Sequence, residues 1–328
     1  MNSWKSQEIL MISYSVNLWF YWLQVVCMMK LFRYEQIKDK LSQKSFDGTT
    51  QSFKDVIHQF SDTSIETLRS IHAQIVQNKM KRTLASHQKP QAVKEFLRRY
   101  HSRIRGNERK PVLINIAEEA DMSPALLARI VLENHLQERA DSDEEPHKVL
   151  KSEVTRLMKE PHLIEDGALS IQVQLCNLKD PCYGPYVEAI KHTDCRYRKE
   201  VFLISKLKEY RFDFMTEDDM RVKGYDKTPD VKLEVPFAWN GNVINWIESK
   251  ASFGDEKSHN QYIKDQYFSY INRFGSGLVI YWFGFIDELA EACKQHGIHL
   301  SDRLPEENEI VRFDPYPLKW DPEEEEPE

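Results

Sequence analysis

Two short stretches, Thr228-Pro229-Asp230 and Glu248-Ser249-Lys250, flank two runs of strand-forming residues that meet at Asn240-Gly241. An Asn-Gly pair between apolar runs is a strong local signal for a β-hairpin. Because side chains alternate along a strand, Glu248 and Lys250 project to one side of the sheet and Ser249 to the other. Asp230 precedes the first strand, so the hairpin brings two carboxylates and one ammonium group to its open end.

This set of side chains suits metal-dependent hydrolysis of phosphodiesters. Carboxylate oxygens are hard ligands of the kind that Mg²⁺ or Mn²⁺ prefers. Such an ion stabilises charge on phosphoryl oxygens and lowers the pKa of the attacking water. Two carboxylates about 4 Å apart repel by roughly 4 kcal/mol at an effective dielectric constant near 20. Lys250 compensates part of this repulsion, and we expect a divalent cation to compensate the rest.

The pairing register of the hairpin provides a test. A two-residue Asn240-Gly241 loop pairs residues whose numbers sum to 481, which places Asp230 opposite Ala251 and facing away from Glu248. Asp230 and Glu248 can lie on the same face only if the numbers of paired residues sum to an even number. We therefore predict an odd-length loop or a β-bulge, for which Gly241 is suited.

The motifs resemble a known enzyme signature. Pro229-Asp230 followed by Glu248-Ser249-Lys250 looks like the signature of the Pro-Asp…(Asp/Glu)-x-Lys nuclease superfamily. Gln266 and Tyr270 match the Gln-x-x-x-Tyr motif that some members carry on the helix after the catalytic strands. Upstream, Glu200 shares one face of a predicted helix with apolar side chains three, four and seven residues later. In this superfamily a glutamate of the first helix often reaches the site.

Longer motifs resemble a narrower family, the codanin-interacting nucleases. They are residues 224–230 (GYDKTPD), 246–256 (WIESKASFGDE), 272–275 (NRFG) and 277–282 (GLVIYW). The resemblance covers roughly residues 30–300. It implies a nuclear and cytoplasmic protein that binds codanin and is linked to erythroid development.

The resemblance also implies a role for each site residue. Glu200, Asp230 and Glu248 would hold the metal ion, Lys250 would position the attacking water, and Gln266 would bond water or phosphate. The alternative for Tyr270 is a place in the core, and the alternative for Glu200 is an exposed acid favoured by the helix dipole. The rival function is a non-catalytic adaptor that keeps the nuclease fold to bind codanin or nucleic acid.

The charge distribution is compatible with nucleic-acid binding. The net charge of −7 is concentrated in residues 302–328, which hold eleven acidic and three basic side chains. Residues 79–110 hold eleven basic and two acidic side chains. This basic band favours a nucleic-acid partner, and we favour DNA over RNA. The alternative is an ordinary solvated helix face.

A helix-turn-helix is predicted within the helical region. Residues 112–120 form an apolar helix, and Ser123-Pro124 provide an N-cap and a first-turn proline for a second helix. The second helix could enter a DNA groove with Arg129 and Ser123 facing the bases. An ordinary helical hairpin, or a motif used for protein contact, is the alternative.

Two other features have competing explanations. Residues 9–29 are apolar and long enough for a membrane span, although an alternative start near Met28 is the interpretation we favour. The five cysteines show no Cys-x-x-Cys pair, which favours reduced thiols. A zinc site is the other possibility, and it would use Cys176, Cys182, His192 and Cys195.

These patterns predict an α+β protein with four parts. Residues 1–29 are an apolar extension, and residues 30–140 are a helical region with helix-turn-helix character. Residues 150–300 are an α/β restriction-endonuclease-like domain with a mixed central sheet. Residues 302–328 are predicted to be an acidic, disordered tail.

Overall fold

The computed structural model describes residues 28–43, 50–105, 111–141, 148–190, 193 and 198–313. The helical first part of the described chain contains β1 (Met28–Met29), α1 (Leu31–Ser42), α2 (Thr50–Gln59), α3 (Ile65–His87), α4 (Pro90–Arg105), α5 (Val112–Glu119), α6 (Pro124–Ala140), α7 (Lys151–Lys159), α8 (Gly167–Lys179), α9 (Pro185–Ile190) and α10 (Arg198–Glu209). The mixed second part contains β2 (Phe214–Thr216), α11 (Glu217–Val222), β3 (Val231–Trp239), β4 (Asn242–Lys250), α12 (Glu256–Tyr262), α13 (Phe268–Phe274), β5 (Gly277–Tyr281), β6 (Phe285–Ile286), α14 (Asp287–Lys294), β7 (Ile298–Ser301) and β8 (Ile310–Arg312).

A six-stranded mixed sheet organises the second part. Its strand order is β2-β3-β4-β5-β7, with β8 paired to β3. The hairpin β3–β4 is antiparallel, whereas β4, β5 and β7 run parallel to one another. Every residue of β5 is buried, as expected for a parallel strand covered on both faces. The α+β class with a mixed sheet is therefore confirmed.

The register of the hairpin changes along its length. Next to the turn, Phe237 pairs with Ile244, so the residue numbers sum to 481. At the open end, Val231 pairs with Ile247, and the sum is 478. The predicted even sum is confirmed, but the irregularity lies within β3 between Lys232 and Phe237 and not at Gly241. Asn240 and Gly241 both have positive φ, which is the geometry of an ordinary two-residue hairpin turn.

The helical core extends further along the chain than predicted. Side chains from Met80 to Cys176 form one buried cluster, and it includes Leu169 and Val173 of α8. The amide of Leu113 in α5 also donates to Gln172 of α8 at 3.1 Å. Residues 151–179 therefore belong to the helical layer. The amphipathic faces of α7 and α8 are buried in this helical cluster. The start of the second domain at residue 150 stays a prediction.

The first helices pack onto the sheet domain. Phe253 and Ile286 share a buried cluster with Ile37 of α1 and Leu68 of α3. Strand β1 pairs in parallel with β6, so Met28 and Met29 are part of the fold. Residues 9–27 of the predicted apolar extension lie outside the described residues. In the part of the chain that is described, no helix combines the length and apolarity needed to cross a membrane.

The predicted helix-turn-helix segment is helical on both sides of its turn. Ser123 caps α6 by accepting from the Leu126 amide at 3.2 Å, as predicted. Its hydroxyl also donates to Asp180, and the residue is only 4% exposed. Ser123 therefore cannot face a groove, and that prediction is wrong. Arg129 donates to Thr155 of α7 at 3.1 Å.

The carboxyl-terminal segment differs from expectation, whereas the described cysteines, Cys176, Cys182 and Cys293, are free thiols and fit the favoured prediction. Strand β8 pairs with β3 through Phe237–Trp239, so the predicted disorder from residue 302 is wrong for residues 302–313. Residues 314–328 lie outside the described residues. Cys176 is buried in the helical core, and Cys182 donates to the carbonyl of Ala73. The remaining members of the predicted zinc site, His192 and Cys195, are not described.

We predict that Gly277→Ala destabilises the sheet. A Cβ at this position would lie 2.1 Å from two indole atoms of the buried Trp246. Overpacking of this kind costs about 1–3 kcal/mol of unfolding free energy or more. Urea unfolding followed by circular dichroism measures the change. Gly167→Ala is the matched control, because its Cβ meets no atom within 4 Å. Equal stability of the two variants would contradict the packing.

Candidate functional site

The open end of the hairpin brings the predicted side chains to one face. The register places Asp230 opposite Glu248, and Asp230 Oδ2 accepts from the Ser249 amide at 2.6 Å. Lys250 Nζ forms an ion pair with Glu248 Oε1. On the other face, Trp282 Nε1 donates to Ser249 Oγ at 2.7 Å. The bulge in β3 therefore aligns the two carboxylates and the ammonium group.

Burial of these charged side chains is unfavourable because it removes them from water. Glu248 is 4% exposed, and its Oε2 atom is buried without a hydrogen-bond partner in the described chain. Burial, followed by the charge of Glu248, raises the pKa of Asp230 well above its usual value. Burial also raises the pKa of Glu248, although the charge of Lys250 opposes that shift. With both carboxyls ionised, the cluster has one more negative charge than positive charge, so a cation would favour the ionised form.

The helix after the hairpin contributes Gln266. A π-helical turn at Ile263–Tyr267 interrupts the helix between α12 and α13, a feature common at functional sites. Gln266 Oε1 accepts from Lys250 Nζ at 3.0 Å. Tyr270, the other residue of the motif, is buried and donates to the carbonyl of Thr228 at 2.8 Å. Gln266 therefore lies in the cluster, whereas Tyr270 holds the segment that carries Asp230.

Glu200 has a weaker connection to the cluster than its predicted role requires. It lies in the first turn of α10, and its charge contributes to the raised pKa of Asp230. Leu203 and Leu207 of the same helix are fully buried against the sheet, as the periodicity predicted. However, no three His, Cys, Asp or Glu side chains of the described residues are grouped closely enough to share a metal ion. The geometry therefore supports a pair of carboxylates with Glu200 nearby.

Sequence reasoning missed two residues beside the cluster. Glu217, at the start of α11, raises the pKa of Glu248 through its charge. The Tyr262 ring lies under Lys250, with 4.6 Å between Nζ and the ring centroid. An acid that opens a helix directly after a strand could have indicated Glu217. Tyr262, the last residue of α12, reaches Lys250 through the packing of that helix, and the sequence has no signal for the contact.

Two residues just beyond β4, which resemble loop charges in the sequence, are buried. Asp255 caps α12 by accepting from the Ser258 amide at 3.0 Å. His259 contacts Tyr281 through Nδ1 at 2.8 Å and Cys293 through Nε2 at 2.9 Å. Burial lowers the pKa of His259 to about 4, so this histidine is neutral at physiological pH. Both residues support the helix behind the cluster.

The residues present fit a magnesium or manganese ion. Magnesium is commonly held by one or two carboxylates, with water and substrate phosphates in the remaining positions. Asp230 and Glu248 supply two such carboxylates, and the unpartnered oxygen of Glu248 is a free hard donor. Thus the donor chemistry suits a divalent cation, with fewer protein ligands than the sequence predicted.

Fold and site together define an α+β protein with a buried carboxylate–lysine cluster at the edge shared by a hairpin and a parallel strand. Comparison with known proteins shows that the chain belongs to the CDAN1-interacting nuclease family. "CDAN1-interacting nuclease 1" of Xenopus tropicalis is 48% identical over 258 residues, which are 79% of this chain and 83% of that protein. The Homo sapiens protein of the same name is 45% identical over 261 residues, covering 80% and 90% of the two chains. The Mus musculus protein is 44% identical over 273 residues, covering 83% and 94%.

A family described as "Protein of unknown function TPD sequence-motif" matches residues 165–304. Its three letters correspond to Thr228-Pro229-Asp230, the segment that carries the first carboxylate of the cluster. No solved structure matches the chain.

We predict that Asp230→Asn stabilises the fold at neutral pH. The native pKa of Asp230 is raised, so the native state binds more protons than the unfolded state between the two pKa values. Stability from this group is therefore present below the unfolded pKa of about 3.9 and is lost as the pH rises through the native pKa. Asparagine removes the charge but can still accept from the Ser249 amide.

Thermal unfolding between acidic and neutral pH measures this effect. The variant should match the wild-type melting temperature in acid and exceed it progressively as the pH rises. The exposed Asp213→Asn change is the control, since it should show no such gain. A variant less stable than wild type at neutral pH would disprove the repulsion between the two carboxylates.

Proposed function

We propose that this protein is a metal-dependent nuclease that hydrolyses phosphodiester bonds of nucleic acid. The observation that carries the proposal is the shared face of Asp230, Glu248 and Lys250, with an unpartnered Glu248 oxygen beside them. The names of the relatives, which contain the word nuclease, support it. The arrangement also supports a restriction-endonuclease-like domain of the Pro-Asp…(Asp/Glu)-x-Lys type.

Asp230 and Glu248 would hold Mg²⁺ or Mn²⁺ directly, and Glu200 would contribute from α10. When bound, the ion stabilises negative charge on the phosphoryl group and lowers the pKa of coordinated water. The buried carboxylates would lose their mutual repulsion on binding it. Their raised pKa values also mean that binding displaces protons, so affinity should increase with pH.

Lys250 would orient the attacking water or a phosphate oxygen. An ammonium group has three N–H donors, and Glu248 and Gln266 accept from Lys250. One donor therefore remains for water or substrate. The Lys250 side chain is 15% exposed, so it is not completely sealed from solvent. Gln266 fixes the direction of the amine and could bond the same water.

Nucleic acid is the proposed substrate, with DNA favoured over RNA on the resemblance of the sequence of residues 112–132 to a helix-turn-helix. The relatives are named for an interaction with CDAN1, that is, codanin, and we propose the same partner for this chain. A location in the nucleus and cytoplasm and a role in erythroid development are proposed on the family resemblance.

A non-catalytic adaptor is the second candidate, and one observation favours it. Glu248 is almost fully buried and ion-paired to Lys250, so part of the acidic cluster is already neutralised within the protein. A protein that kept the fold only to bind codanin or nucleic acid could retain such a pair. Removal of one partner from a buried ion pair is strongly destabilising, which alone could preserve both residues.

We predict that cleavage depends on Asp230 and Lys250. Purified protein should cleave labelled DNA or RNA in the presence of Mg²⁺ or Mn²⁺ but not in the presence of a chelator. Asp230→Asn and Lys250→Met should each lower the rate by about 10²-fold or more, since each removes a group aligned with the reacting phosphate. The assay uses single- and double-stranded substrates of both nucleic acids.

Lys232→Met is the matched control, because Lys232 lies on the neighbouring strand and pairs with Glu234. It should leave the cleavage rate unchanged. Mg²⁺ should also raise the wild-type melting temperature more than that of Asp230→Asn, since binding to the native state stabilises it. Cleavage that survives both site substitutions would place the active centre elsewhere. Binding without cleavage under every metal would support the adaptor.

We predict that Tyr262 positions Lys250. An aromatic ring under a partly desolvated ammonium group contributes about 0.5–2 kcal/mol. Tyr262→Leu should therefore lower kcat/KM by roughly 2- to 30-fold, whereas Tyr262→Phe, which keeps the ring, should remain near wild type. The pH profile should also shift in the leucine variant only. Equal losses in both variants would exclude a role for the ring.

A further inference from the structure

The basic band contains two kinds of side chain. Nine of its lysines and arginines lie in described residues, between Lys79 and Arg105. Four are ion-paired, namely Lys79 with Asp121, Arg98 with Glu95, and Arg99 and Arg103 with Glu119. The other five have no carboxylate partner in the described part of the chain. Three of these five lie along the second half of α3 or directly after it: Lys81, Arg82 and Lys89. They are the basic stripe.

Helix α3 is attached to the loop that follows Lys250. Ser70 accepts from the Phe253 amide at 2.8 Å, and Gln74 donates to the Phe253 carbonyl at 2.7 Å. One turn later, Asn78 accepts from Lys257 Nζ at 2.8 Å. These contacts hold one face of the helix against the chain that leaves the active-site strand, so α3 has a defined position relative to the cluster.

The basic stripe continues that face. At about 100° per residue, Lys81 and Arg82 lie within roughly 60° of the direction midway between Gln74 and Asn78. Both are exposed, as is Lys89. Ala85 and Ser86, between them, are small and exposed, so the stripe has room for a ligand. No acidic residue occurs in α3 after its first turn.

We propose that the basic stripe binds the sugar-phosphate backbone of the nucleic acid beside the cleavage site. The inference rests on the proposed nuclease function and adds the surface that holds the substrate. With a rise of about 1.5 Å per residue, Lys81 and Lys89 lie about 10 and 20 Å along the axis from Gln74. Phosphates of one strand advance about 3.4 Å per nucleotide, so the stripe would contact phosphates roughly three to six nucleotides beyond the level of Gln74.

The ligand class follows from the chemistry of the stripe. Lysine and arginine side chains without carboxylate partners bind phosphates regardless of base sequence. The exposed part of the stripe has no aromatic side chain on which a base could stack, so the geometry favours the phosphates of a duplex over an unpaired strand.

A binding assay without catalysis tests the proposal. Fluorescence anisotropy would measure the affinity of the Asp230→Asn protein for a labelled DNA duplex, with chelator present, over a range of salt concentrations. A triple variant carries Lys81→Ala, Arg82→Ala and Lys89→Ala. Its log–log salt slope should be shallower by about 2.7, which is 0.9 per lost phosphate contact. Its affinity at about 0.1 M salt should fall by on the order of 10²-fold.

The matched control removes three ion-paired bases, Lys79, Arg98 and Arg103, and so changes the net charge equally. Its log–log salt slope should differ from that of the Asp230→Asn protein by no more than about 0.9, the value for one phosphate contact. Equal losses in the two triple variants would overturn the proposal, because net charge alone would then explain binding. Unchanged duplex affinity with lost codanin binding would instead assign the stripe to protein recognition and also overturn it.

The binding assay and the cleavage assay test the two proposals separately. Because binding is read without metal and in a cleavage-deficient background, a protein that binds through the stripe but never cleaves would contradict only the nuclease proposal. A protein whose cleavage needs Asp230 and Lys250, but whose salt slope ignores the stripe, would contradict only the present inference. Melting temperatures of both triple variants control for folding, since the substituted stripe residues are exposed.

Discussion

The repulsion between Asp230 and Glu248 is the constraint around which this structure is built. Two carboxylates in one buried place are unfavourable: burial raises the pKa of both, and the charge of Glu248 raises the pKa of Asp230 further. The surrounding elements nevertheless hold them there. The Ser249 amide binds Asp230, Lys250 pairs with Glu248, and the Tyr270 hydroxyl holds the preceding segment through Thr228. Because a bound cation would offset the repulsion between the two carboxylates, the site is suited to binding one.

The helical layer contributes to the same site from a distance. The contacts of α3 with Phe253 and Lys257, and the pairing of β1 with β6, fix the loops at the end of β4 and β5. The first of these loops follows β4, the strand that carries Glu248 and Lys250. The helical part is therefore more than a separate module joined by a linker, since it shares a buried core with Phe253 and Ile286.

Much of the site was predictable because its signals are local. The Asn240-Gly241 turn, the alternation along β4 and the apolar face of α10 each depend on neighbouring residues, and the structure has all three. Gln266 was predictable from a motif on the following helix. By contrast, Glu217 and Tyr262 reach the cluster only through the packing of α11 and α12. Their local sequence would be the same in a protein that placed them elsewhere.

The sequence by itself determined the hairpin and the apolar helix faces. It also determined that Asp230 and Glu248 can lie on one face only if the hairpin contains an irregularity. Those properties follow from backbone periodicity and turn geometry, which act over a few residues. Only the tertiary structure decided that the bulge lies in the middle of β3, that α7 and α8 join the helical core, and that Ser123 is buried. Each of these depends on which distant surface covers a residue, because burial is set by the whole chain and not by its neighbours.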